Sequence, residues 1–178
     1  CNLRCGYCMP LEGVVQKNRD DLLTFEEIRR MVRILAGIGI RRVRLTGGEP
    51  LVRKGLPTLI GMLKRIPRLE EVLLTTNGVL LKSLARELKE AGLSQINIHL
   101  DTLSPEKFRQ ITHWGTLNEV LDGIREAHRI GFAPIKLNAV VQKGVNDDEV
   151  EDLLLFAADQ GLILRLIELM PLGPARRM

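Results

Sequence analysis

Apolar residues recur along this chain with two different periods, and the two take turns. Ile28, Met31, Val32 and Leu35 return every three or four positions, the spacing of one helix face. Thr24 and Glu27 ahead of them form a capping box, so a helix is predicted from Thr24 to about Gly37 or Gly39. Arg42 to Thr46 alternates polar and apolar instead and reads as a strand, stopped by Gly47-Gly48-Glu49-Pro50. The exchange continues with a helix over Leu56 to Ile66, a strand over Glu71 to Thr75 ending in an Asn77-Gly78 turn, a helix over Leu80 to Ala91 and a strand over Gln95 to Asp101. Ser104-Pro105 is an N-cap followed by proline at the first helical position, and a longer helix covers Leu117 to Ile130. A strand over Ile135 to Val141, a helix starting at Asn146 and Glu149 and running to about Gln160, and a strand over Ile163 to Met170 complete the series.

Strictly alternating strands and helices predict an α/β fold with a parallel sheet. Parity within the strands sharpens this. Ile96, Ile98 and Leu100, like Ile135, Leu137 and Ala139, present an apolar side for helices to cover. The opposite parity is polar: Arg44 and Thr46, then Asn97, His99 and Asp101, then Lys136 and Asn138. A closed barrel fills its interior with branched apolar layers. A polar inner face therefore predicts a partial, open TIM-like β/α barrel that holds a charged ligand. In the last strand Arg165 and Glu168 fall on opposite parities, and Glu168 and Met170 are expected inward. Gly47-Gly48, Thr75 to Asn77, His99 to Asp101 and Met170 all fall at C-terminal strand ends, where such folds gather ligand groups.

Length and charge narrow the class. The 178 residues suit one domain, with a loop over 1–24, the alternating units over 25–170 and the start of an extension over 171–178. No run of 18 apolar residues occurs, so no membrane span and a cytoplasmic setting are expected. A net charge of +4 is spread over basic pairs such as Arg29-Arg30 and Arg176-Arg177, and aromatics are 3% of the residues, which is no platform for nucleic acid. A homodimer is compatible with this surface.

The first eight residues bring in chemistry. Cys1, Cys5 and Cys8 are the only cysteines, spaced C-x3-C-x2-C with Tyr7 before the last. Closely spaced thiolates are soft ligands for zinc, copper(I) or iron-sulfur clusters, and three are one short of a closed set. Two alternatives to a cluster stay open on spacing alone: zinc completed by His99, His113 or His128, and thiols with no metal role.

This triplet, together with Gly47-Gly48-Glu49-Pro50, resembles the signature of the radical S-adenosylmethionine (SAM) enzymes. Arg44 to Arg53, Leu74 to Gly78, Val140 to Asp147 and Arg165 to Met170 are similar to the GTP 3',8-cyclases of molybdenum cofactor biosynthesis within that superfamily. The resemblance implies a 4Fe-4S cluster on Cys1, Cys5 and Cys8, with the open fourth iron chelated by SAM. It implies SAM contacts for Tyr7, Gly47, Gly48, Glu49, His99 and Met170, and GTP contacts for Arg44, Thr75 and Lys136. It implies a reaction in which a 5'-deoxyadenosyl radical removes hydrogen from ribose carbon 3' of GTP. That carbon then joins carbon 8 of guanine, giving 3',8-cyclo-7,8-dihydro-GTP with no side chain acting as acid or base. An electron donor is required.

The resemblance also implies a strand ahead of Cys1 and a C-terminal segment with a second 4Fe-4S cluster, neither in this chain, which alone would be incomplete for turnover. Two places in the chain depart from the pattern: His99 stands where a serine is usual, and His113-Trp114 where relatives are more basic. Competing readings are another radical SAM enzyme, such as a peptide-modifying one, or a non-catalytic Cys-ligated metal module.

Overall fold

A computed structural model describes residues 1–14, 18, 21–170 and 175. Six helices and five strands alternate within it: α1 (Phe25–Gly37), β1 (Arg42–Leu45), α2 (Leu56–Lys64), β2 (Glu71–Thr76), α3 (Leu81–Glu90), β3 (Gln95–His99), α4 (Pro105–Thr112), α5 (Leu117–Arg129), β4 (Ile135–Val141), α6 (Val150–Asp159) and β5 (Ile163–Glu168). Every strand pairs in parallel with the one before it, in the order β1-β2-β3-β4-β5. Consecutive neighbours of this kind wind in one direction, as in a barrel, and do not reverse as in a doubly wound sheet. The expected extension over 171–178, including Arg176-Arg177, lies outside the described residues apart from Ala175. Among the described residues no helix is long and apolar enough to cross a membrane.

The core forms where the alternation placed it. Val72, Leu74, Ile96, Ile98, Ile135 and Leu137 are buried beneath helical residues such as Ile60, Leu63, Leu81, Leu88, Val120 and Ile124. The Thr24–Glu27 box is present in both directions, the Glu27 amide donating to Thr24 Oγ1 at 3.2 Å and the Thr24 amide to Glu27 Oε2 at 2.7 Å. Ser104 caps α4 through the Lys107 amide.

Four expectations need correction. The stripe on α1 is only partly buried: Val32 is in the core, but Met31 and Leu35 point out. β3 stops at His99: the Leu100 amide still donates to the Asn138 carbonyl at 3.0 Å, but at Asp101 the side-chain carboxylate takes the Val140 amide. Asn146 does not start α6 as a cap. Its side chain spans the Gln142 amide and the Asp101 and Val140 carbonyls, and a short 3-10 turn over Asp147–Glu149 precedes the helix. In β5, Arg165 pairs with Asn138 on the polar side, while Glu168 is in register with Val141 and borders the cavity beside Cys8 and Met170; the strand ends before Met170.

Candidate active site: a cysteine loop seated on four strand ends

The loop carrying the three thiols folds back on itself, the Cys8 and Met9 amides donating to the Cys5 carbonyl at 2.8 and 2.9 Å. It is stitched to the ends of consecutive strands. After β1, Gly48 lies so close to Cys1 that a Cβ there would meet Cys1 Cβ and N at 3.2 Å, and Gly47 takes φ 141°, a conformation that favours glycine. After β2, Asn77 Nδ2 donates to Asn2 Oδ1 at 2.8 Å. After β3, the Tyr7 hydroxyl sits 2.6 Å from His99 Nε2 and donates to Asp101 Oδ2 at 2.8 Å. Asp101 Oδ1 in turn accepts from the Val140 amide at the end of β4, at 2.7 Å.

Glu49 ties two of these ends together from inside. It is 4% exposed; Oε1 accepts from the Leu51 amide (2.9 Å) and the Thr76 hydroxyl (2.7 Å), and Oε2 from the Asn77 amide (2.7 Å). Both oxygens are thus engaged by protein groups, and the carboxylate braces the turn after β1 against the end of β2.

The polar inner face forms rows. Thr75, Asn97 and Lys136 stand side by side across β2, β3 and β4, and His99, Asn138 and Arg165 form the next row across β3, β4 and β5. Arg44 reaches over from β1, its Nη1 donating to the Leu74 carbonyl at 3.2 Å and to Thr75 Oγ1 at 3.4 Å. Lys136 has no carboxylate partner among the described residues. Asn97 Oδ1 and Asn138 Oδ1, both in these rows, are buried polar atoms without a hydrogen-bond partner among the described residues. Unpaired buried polar atoms are costly and uncommon, so a face that gathers them is built for a polar occupant. Met170 is brought to the cysteine loop from the far edge, lining with Tyr7, Cys8, Val140 and Ile167 a cavity of about 320 Å³.

The electrostatics agree with this division. Burial pushes the Cys5 thiol up to about 12, and the charges of Asp101 and Cys8 add to it. A bare thiolate is therefore disfavoured there, and a coordinating cation would reverse the balance. Burial, then Asp101, raises Tyr7 far above the usual phenol range and keeps it a donor. Arg44 is held below its ordinary value, first by burial and then by the charge of Arg165. Arg44 on β1 and Arg165 on β5 thus bring cations from the two edge strands of the sheet.

The thiols are unpaired. Among the described residues no three His, Cys, Asp or Glu side chains gather as one ion would require. Three soft thiol donors carried on one loop form a set that suits an iron-sulfur cluster keeping one iron free of protein ligands.

Sequence reasoning marked Cys1, Cys5, Cys8, Tyr7, Gly48, His99, Arg44, Thr75 and Lys136, and these converge on one end and one face of the sheet. It missed the Asn2–Asn77 bridge and the inward turn of Arg165. Register with Asn138 was the signal for Arg165, and it is not visible without the pairing.

The sequence pattern that defines the Radical SAM superfamily matches residues 1–157. Similar curated proteins include the GTP 3',8-cyclase of Alkaliphilus metalliredigens, 51% identical over 98% of this chain and 55% of that protein. That of Moorella thermoacetica is 53% identical over 98% of this chain and 54% of that protein. The chain thus spans about half the length of the curated relatives it matches. Streptococcus suis SuiB bound to S-adenosylmethionine superposes over 97% of this chain and 39% of its own, with a TM-score of 0.81 at 18% identity. Methylornithine synthase does so over 96% and 51%, with a TM-score of 0.75 at 21% identity; both likenesses concern the fold. The family match over residues 1–157 takes in the cysteine loop, the Gly-Gly turn it rests on and strands β1 to β4, and this chain belongs to the radical SAM superfamily.

Proposed function

We propose that this chain is the cluster- and SAM-binding part of a GTP 3',8-cyclase acting in molybdenum cofactor biosynthesis. The observation that carries the reading is 51% identity to a GTP 3',8-cyclase over 98% of the chain.

Cys1, Cys5 and Cys8 would hold a 4Fe-4S cluster, leaving one iron for SAM. When bound and reduced, the pair supplies a 5'-deoxyadenosyl radical that takes hydrogen from the substrate. The residues of this chain provide place and order. Gly47 and Gly48, lacking side chains beside Cys1, leave their backbone open to the methionyl end of SAM. Glu49 acts one step back, fixing that turn. Tyr7 and His99 flank the loop, and Met170 closes the apolar side where the adenine would lie.

The row of Thr75, Asn97 and Lys136 offers a hydroxyl, an unpaired acceptor and a cation to the nucleotide. Arg44 and Arg165, cations from the two edge strands, would bind the triphosphate. The remaining half of the relatives' length would carry the second cluster and complete the site. A cytoplasmic setting would keep the thiols reduced, and an external electron donor is needed.

Anaerobic reconstitution of the full-length protein, followed by SAM, dithionite and GTP, tests this by mass spectrometry. Formation of 5'-deoxyadenosine together with an isomer of GTP, both lost in Cys5→Ala, is expected. Deoxyadenosine with no change in GTP would move the reading to another substrate.

A further inference from the structure

The His113-Trp114 departure acquires a place in the structure. The turn between α4 and α5 lies against the outer side of the cysteine loop and touches it repeatedly. The guanidinium carbon of Arg4 stands 4.1 Å from the centroid of the Trp114 ring, within stacking range of a cation on an aromatic face. The same guanidinium, through Nη1, donates to the Cys1 and Leu3 carbonyls, each at 2.9 Å. The backbone is pinned on either side of Cys5: the Arg4 amide donates to the Thr112 carbonyl at 2.9 Å and the Gly6 amide to the Ile111 carbonyl at 3.0 Å.

Thr112 is fixed in turn, its hydroxyl reaching the Phe108 carbonyl at 2.7 Å and the Trp114 carbonyl at 2.9 Å. Leu3, 3% exposed, fills the space over Gly115, where a Cβ would come within 2.9 Å of its Cδ2.

We infer that the Thr112–Gly115 turn is a bracket that holds the cysteine loop in its ligand-ready shape, with Trp114 and Arg4 as positioning residues. The logic is one of lever arms. Trp114 holds the guanidinium flat, the guanidinium holds the Cys1 carbonyl, and the two amide bonds hold the segment around Cys5. Losing the ring frees Cys1 relative to Cys5 and Cys8 without removing any thiol. The aromatic face is what matters, so Phe substitutes for Trp and Leu does not. The consequence for metal retention rests on the reading that the three thiols carry a cluster.

Two measurements on the full-length protein test the bracket. In the metal-free protein, hydrogen exchange is read at the Arg4 and Gly6 amides; in the reconstituted protein, the rate of iron loss to a chelator under anaerobic conditions is read. Because Trp114 is 49% exposed, the effect is that of a partly solvated stack. Trp114→Leu should raise both rates roughly fivefold, with Trp114→Phe close to the wild type. Arg4→Gln, which leaves the ring in place, should match Trp114→Leu and serves if that variant folds poorly.

Unchanged exchange in Trp114→Leu and Arg4→Gln overturns the proposal, as does faster exchange with unchanged iron loss. A wild-type protein that takes up no iron would sink the cluster reading instead; the exchange rates, measured without metal, would then decide the bracket alone.

Discussion

Tyr7 and Asp101, 94 positions apart in sequence, meet at 2.8 Å, the phenol donating to a carboxylate that also takes the Val140 amide at 2.7 Å. One carboxylate thus fastens the cysteine loop to the ends of two strands. Hydrogen bonds to a charged acceptor contribute about 1.5–3 kcal/mol each. Tyr7→Phe should lower the stability of the metal-free protein by about that much, and Asp101→Asn by more, because it also disturbs the Val140 amide. Urea unfolding with unchanged m values checks the order; equal effects would mean that Asp101 does not serve both elements.

His99 gives that network a pH dependence. Burial by itself would lower the imidazole, but the charge of Asp101 and the hydrogen bond between them outweigh it and hold His99 above its ordinary value of 6.5. A value raised by folding means that the protonated ring stabilises the folded state. That contribution is complete below 6.5 and is lost as pH rises through the raised folded value. The stability gap between wild type and His99→Gln should therefore shrink as pH climbs above 6.5. A gap that widens would contradict the His99–Asp101 pairing.

Glu49 is the buried brace of the Gly-Gly turn. Burial raises its carboxyl above the ordinary range, against the opposing pull of the Asn77 and Leu51 amides and the Thr76 hydroxyl. Glu49→Gln would set an amide donor against one of those donors, at a cost of about 1–3 kcal/mol. The thermal unfolding midpoint of Glu49→Gln should fall accordingly; a midpoint equal to wild type would deny the brace.

Arg44 and Arg165 predict an anion. Inorganic triphosphate should raise the melting temperature of the full-length protein, a hundredfold excess over Kd corresponding to about 2.7 kcal/mol. The rise should be largely lost in Arg44→Ala and in Arg165→Ala, with sodium chloride at matched ionic strength as the control. An undiminished rise in either variant would place the anion elsewhere.

Much of this was legible in the sequence, for identifiable reasons. Strands whose two faces meet different surroundings declare themselves by alternation, so β4 runs over Ile135–Val141 as read. Cys1, Cys5, Cys8 and Gly47-Gly48 are local patterns and need no tertiary information. β5 was harder because it is an edge strand with Ile163 and Leu166 both exposed, so its alternation carries no sign of which side is inner. The partners of Tyr7 and the seat of Trp114 come from the meeting of distant segments, and no spacing along the chain encodes them.

The central claim is that the three cysteines hold a cluster with an iron open to SAM beside Gly48. Electron paramagnetic resonance of the dithionite-reduced full-length protein, with and without SAM, addresses it most directly. The account predicts a cluster signal that SAM shifts, with the SAM-sensitive component absent in Cys5→Ala. A spectrum that SAM leaves unchanged, or a SAM-sensitive signal that survives Cys5→Ala, would contradict it.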